Sequence, residues 1–187
     1  MLSLSQDKLM GAGVALLLAL AAAPLIPSAL DSYFLFFLFL VFIHTALAQS
    51  WNLTAGYGGQ ISLAQHAFFG IGGYTTAIIS TTLLEGGDFY FNPLTMLASG
   101  LVAALFAVAI GVPLLSRLAG DYFALGTLGF GEIIRVLLIK GGAVTGGSFG
   151  ISMSSEVFDT LAPHYWVALG LAVAATATVY GVSRSHS

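Results

Sequence analysis

Between residues 56 and 74 the chain reads GYGGQISLAQHAFFGIGGY, which mixes helix-breaking glycines with Gln60, Ser62, Gln65 and His66. These polar side chains carry no permanent charge, so what they offer is hydrogen bonding to a polar solute or to a neighbouring helix. Glycines at 56, 58 and 59 free the backbone to take unusual dihedrals and to bring N–H groups close to a ligand. If Gln60 opens a helix, its first N–H groups and the helix dipole favour an anionic group such as a carboxylate. An ordinary glycine-rich loop is the competing reading. Ser62, His66, Gly70, Gly73 and Ala77 recur at helical spacing, a stripe of small or polar residues suited equally to close helix packing or to one wall of a solute route. No nucleophile stands beside a base and no HExxH pattern occurs, which argues against an enzyme. No GxxxxGK followed by Ser or Thr occurs either, so ATP is not held by that device.

Two full charges stand out further on. Glu132 and Arg135 interrupt the apolar run 122–139, three residues apart, a spacing that lets them pair on one helix face. Glu132 falls near the middle of that run, where exposure to lipid is costly, so the stripe Ala124, Thr127, Gly131 and Arg135 is expected to look into the protein. The readings are a structural ion pair or a role in gating a pathway. A second glycine-rich segment, GGAVTGGSFG at 141–150, opens the longest connection in the chain. Its length suits docking or gating better than a tight turn.

The elements that must position these residues follow from composition. Of 187 residues, 58% are hydrophobic and only 7% charged, against about 25% in a typical soluble domain. Continuous apolar runs, rather than alternation, select helices over a barrel. The runs 10–26, 33–48, 61–84, 93–115, 122–139 and 165–181 give about six spans, each long enough to cross hydrocarbon with some tilt. Pro24 and Pro27 close the first, which is read as a retained span rather than a cleaved leader. The expected fold is therefore all-α, a polytopic transmembrane bundle, with the third and fifth spans inside it and the first toward lipid. With both termini cytoplasmic, Lys8, Arg117 and Arg184 lie inside and only Lys140 outside, as the positive-inside rule favours. Asp31, Glu85, Asp88, Glu156 and Asp159 then fall outside, and the two glycine-rich segments flank the membrane from opposite sides. His44, alone on an apolar helix, reads as structural. There is no cysteine, so thiolate metal sites are excluded. The net charge of −3, with no basic cluster, excludes nucleic acid as a partner.

NLTAGYGGQISLAQHAFFGIGGYTTA, residues 52–77, resembles a signature of the permease subunits of branched-chain amino acid ABC importers. GDYFALGTLGFGEIIRVLLIKGGAVTGGSFGI, residues 120–151, is similar to a second block of the same family, in the expected order and spacing. Related urea and short-chain amide permeases share much of the pattern. The resemblance implies a subunit that pairs with a homologous second permease, two cytoplasmic ATPase subunits and an extracytoplasmic solute-binding protein. It implies transport across a bacterial or archaeal cytoplasmic membrane by alternating access. ATP and Mg would then belong to the ATPases, with no cofactor in this chain. Its block members here are Gln60, Ser62, Gln65, His66 and Gly70, with Thr127, Gly131, Glu132, Thr145, Gly146 and Gly147, all candidates for shaping the pathway. Where such permeases often continue TGGPNG, this chain has Ser148 and Phe149, so the outer loop is expected to differ in shape. Family members also continue past a position like Arg184 into a second half with a basic ATPase-contacting segment. By that resemblance residues 1–187 form a single permease domain corresponding to the N-terminal half. A secondary transporter or channel is the rival class, since it too uses broken helices and buried charge.

Overall fold

The computed structural model describes residues 19–22, 24, 32–82, 92–142, 144–152 and 161–185. Five long helices carry the described chain. Helix α1 runs Ser32–Asn52 and continues into a π-helical turn, Leu53–Tyr57. Helix α2 is Gln65–Thr82, α3 Pro93–Arg117, α4 Asp121–Lys140 and α5 Leu161–Ser185. A short 3-10 turn, Gly147–Phe149, follows α4. No strand occurs among the described residues, and the architecture is an all-α, multi-pass membrane bundle.

Local chemistry explains where the helices begin. The Asn92 side chain accepts from the Leu94 amide at 2.9 Å, and Pro93 occupies the first helical position, where its missing N–H has no cost. Gly120 adopts a positive φ of 57° ahead of α4, a conformation ordinary residues avoid. Asp121 in the first turn of α4 and Lys140 in its last both complement the helix dipole.

Packing divides the helices into two clusters. In the first, Phe42 of α1 meets Tyr165 of α5 edge-on at 5.3 Å, with Ala168 and Ala172 buried beside them. Small residues let helix backbones approach closely, which matters where lipid supplies no hydrophobic drive. The Tyr165 hydroxyl donates to the Leu20 carbonyl at 2.8 Å, so this buried aromatic leaves no orphan polar group. In the second cluster, Ala64, Ala67, Ile71, Phe130 and Ile134 are buried between α2 and α4, with Val102, Ala103 and Ile110 of α3 against them. Thr76 of α2 and Ser99 of α3 share a hydrogen bond at 2.7 Å, and Phe68 faces Phe130 at 5.5 Å.

Several sequence expectations are corrected. Among the described residues four segments are long and apolar enough to cross a membrane: Tyr33–Tyr57, Pro93–Arg117, Asp121–Lys140 and Ala162–Ser185. Helix α2, in the third apolar run, is shorter and less apolar than these four among the described residues. It starts at Gln65, not at Gln60, and carries too many hydroxyl and amide side chains to match the others. Ser62 therefore lies outside the helical stripe of His66, Gly70, Gly73 and Ala77. Gly56 does not break its helix either; the π-helical turn carries α1 through it, and the interruption comes at residues 58–64. The first run lies outside the described residues except at 19–22 and 24, as do Lys8, the five loop acids and residues 153–160 of the long connection.

Candidate functional site

Residues 58–64 cross from α1 to α2 without helical structure, yet Ser62 and Ala64 are buried. Such a backbone must find partners for its polar groups, because lipid supplies none. It finds them on three sides. The Gly58 amide donates to Leu53 O and the Gln60 amide to Thr54 O, both at 3.1 Å, tying the entry to the π-helical turn. The Trp51 indole donates to the Ser62 carbonyl at 3.0 Å, and the Leu63 amide donates to Thr127 Oγ1 at 3.0 Å. Thr127 in turn donates to Ala124 O at 2.9 Å, so its hydroxyl both gives and accepts. The Gly120 amide donates to Gln60 Oε1 at 3.1 Å, which anchors the segment beside the N-terminus of α4.

Past this segment α2 and α4 run side by side. Leu63 meets Thr127, Phe68 packs on Phe130, and Tyr74 lies nearest Gly150, so residue numbers rise together and the two helices are parallel. At their crossing the His66 ring lies directly over Gly131: a Cβ built there would sit 2.6 Å from Nε2 and 2.8 Å from Cε1. Glycine at 131 is thus what admits the imidazole. His66 itself is exposed on its outer side, and Gln65 and Gly70 are half-buried.

The second glycine-rich segment folds back on the other end of α4. Thr145 is buried, and its hydroxyl donates to the Leu138 carbonyl at 2.6 Å. Gly146 takes a φ of 70°, and a Cβ there would strike the Gly150 carbonyl oxygen, so only glycine fits. Gly147 is half-buried and begins the 3-10 turn, while Phe149 stands wholly exposed. The two glycine-rich segments therefore occupy opposite ends of one helix of 20 residues, about 30 Å long at the helical rise.

Glu132 and Arg135 form the expected ion pair, Nε to Oε2 at 3.0 Å. Its placement corrects the sequence reading. Thr127 and Gly131 are buried against α2, but the Arg135 and Glu132 side chains remain 63% and 56% exposed on a different face of α4. The reason is angular: Glu132 lies one residue past Gly131, about 100° around a 3.6-residue helix. A charged side chain at the centre of a membrane helix costs roughly 2.5 to 3.5 kcal/mol on insertion scales.

The sites were not equally visible in sequence. Thr127, Ser62 and Gln60 were brought together, as were His66 and Gly131; Thr145, Gly146 and Gly147 form a separate group at the far end. Trp51 was missed. A tryptophan at the end of an apolar run reads as an interfacial anchor, which hides its bond to Ser62. His44 donates through Nδ1 to Leu40 O at 2.7 Å within its own helix.

The chain is similar, at 39% identity over 113 residues, to the high-affinity branched-chain amino acid transport system permease protein LivM of Escherichia coli (strain K12), a match covering 60% of this chain and 25% of that protein. A second relative of the same name, from Salmonella typhimurium (strain LT2), is 39% identical over 110 residues, covering 59% of this chain and 24% of the relative. The match thus spans about a quarter of the length of these curated relatives. No solved structure matches. A family model described as branched-chain amino acid transport system, permease component, matches residues 33–184, from the start of α1 almost to the end of α5, and the chain belongs to that family of transport subunits.

Proposed function

We propose that this chain contributes to a membrane permease that passes branched-chain or other hydrophobic amino acids across a bacterial or archaeal cytoplasmic membrane. The observation that carries the reading is the family match over residues 33–184. The geometry is in keeping with it: a non-helical segment at 58–64, in which Ser62 and Ala64 are buried, is held by side chains of two neighbouring helices, the kind of irregular backbone that membranes tolerate where it borders a cavity.

In this reading the chain is the transport subunit and ATP is hydrolysed elsewhere. Two cytoplasmic ATPase subunits with bound ATP and Mg drive alternating access, a homologous second permease completes the pathway, and an extracytoplasmic binding protein delivers solute. Both termini of the chain face the cytoplasm in this reading, with Arg117 and Arg184 on that side and the start of α1 on the other. The small and polar residues at the α2–α4 crossing, Ser62, His66, Thr127 and Gly131, hold together the two helices that carry the wall of the route. The test is uptake by the complete transporter in proteoliposomes with binding protein supplied outside. Leucine accumulation that requires ATP inside is the expected result. Uptake of urea or a short-chain amide in place of leucine would transfer the chain to the related substrate class, and uptake driven by a proton or sodium gradient without ATPases would reject the importer reading.

A further inference from the structure

The Glu132–Arg135 pair lies just past the midpoint of α4, a helix that qualifies as a membrane span. The opposite face of α4, through Phe123, Thr127, Phe130, Gly131 and Ile134, is occupied by packing. The pair is joined only to itself among the described residues, through one guanidinium nitrogen and one carboxylate oxygen, and more than half of each side chain is uncovered. Hydrocarbon is a poor neighbour for such a surface, because both charges would lose their hydration without gaining partners. What suits it is a molecule that presents one anion and one cation on adjacent atoms. A free α-amino acid does so, since its carboxylate fits the two-pronged guanidinium and its ammonium fits the carboxylate of glutamate. Leu128 and Val136, one helical turn to either side of Glu132, are exposed and apolar, and they flank the pair as a seat for an aliphatic side chain.

We propose that Glu132 and Arg135 recognise the zwitterionic head of the amino acid in transit, Arg135 taking the α-carboxylate and Glu132 the α-ammonium. The assignment rests on the transport reading above and makes the pair a determinant of specificity. A neutral amide cannot replace both halves of the ion pair, so it is disfavoured by the same geometry.

The test is equilibrium dialysis of labelled leucine against the complete, detergent-solubilised transporter without binding protein. Competition is measured with leucine amide, which lacks the carboxylate, and with 4-methylpentanoate, which lacks the ammonium. For the unaltered protein both analogues should compete at least about tenfold more weakly than leucine, a loss of about 1.4 kcal/mol each. Arg135→Gln should abolish discrimination against the amide alone, and Glu132→Gln discrimination against the acid alone. The exchanged pair, Glu132→Arg with Arg135→Glu, keeps an ion pair but reverses it, and should not restore leucine binding. Unaltered discrimination in the single variants, or recovery in the exchanged pair, overturns the proposal and leaves a structural ion pair. Should the glutamine variants fail to assemble, Arg135→Lys decides. It keeps the charge and loses the planar fork, so a drop in leucine affinity of about tenfold supports the proposal and unchanged affinity overturns it. Absence of leucine binding by the unaltered transporter also overturns it, while ATP-driven leucine uptake in proteoliposomes would still uphold the transport reading.

Discussion

At Gly131 a hydrogen stands where any other residue would place a carbon against the His66 ring. The nearest ring atom, Nε2, would be 2.6 Å away, well inside contact distance. Gly131→Ala must therefore swing the exposed imidazole aside, at a cost of up to about 1 kcal/mol, or part α2 from α4, an overpacking that costs about 1 to 3 kcal/mol. Because the clash is with one side chain, removing that side chain should relieve it. In a His66→Ala background the same Gly131→Ala change should cost little, giving a coupling of about 0.5 to 3 kcal/mol in a double-mutant cycle read by thermal unfolding in detergent. An equal cost in both backgrounds would show that the ring does not rest on Gly131. Spacing alone placed each of these residues on a small or polar stripe, His66 in one run and Gly131 in another. It could not say that the stripes meet, because helical periodicity fixes which side chains share a face and is silent about which helix lies opposite.

The same limit governs the elements. Hydropathy located the helices that cross from Pro93 to Arg117 and from Asp121 to Lys140 nearly to the residue, since long apolar runs with a cap or a charge at each end leave little choice. It misjudged the start of α2. Ile61 and Leu63 read as helix because they are apolar, but their backbone is held open by Trp51, Thr127 and the Gln60–Gly120 contact, all distant in sequence or chemically unremarkable as single residues. It also placed the Glu132–Arg135 pair correctly as a pair and wrongly as buried, since a three-residue spacing determines who can touch but not what covers them. Thr127 is where the non-helical segment is most exposed to challenge. Thr127→Val conserves volume and leaves the part-buried Leu63 amide without its acceptor, a loss of about 1 kcal/mol. Thr127→Ser keeps the hydroxyl and should stay close to the unaltered protein. The comparison is read by thermal unfolding in detergent, and it fails if valine and serine behave alike.

On the scale of the whole molecule the two glycine-rich segments are separated by α4, and that separation is what a route across a membrane requires of its two ends. Gln60 is tied to Gly120 just before the helix, and Thr145 is tied to Leu138 just after its last turns, so neither segment can reach the other side without α4 moving with it. A helix of 20 residues covers about 30 Å, the thickness of the hydrocarbon layer. If α4 spans, Ala119 and Phe149 must therefore face different compartments. Both are exposed, neither is a glycine whose dihedrals would resist substitution, and the 187 residues contain no native cysteine to confuse the labelling. Ala119→Cys and Phe149→Cys, introduced one at a time into the complete permease, should react with an impermeant thiol reagent from opposite faces of sealed vesicles. In the proposed orientation Phe149→Cys reacts from outside and Ala119→Cys only when the vesicles are inverted. The reverse pattern would preserve α4 as a span and turn the molecule over. Labelling of both from one side would remove α4 from the membrane and, with it, the idea that these segments mark two ends of one path.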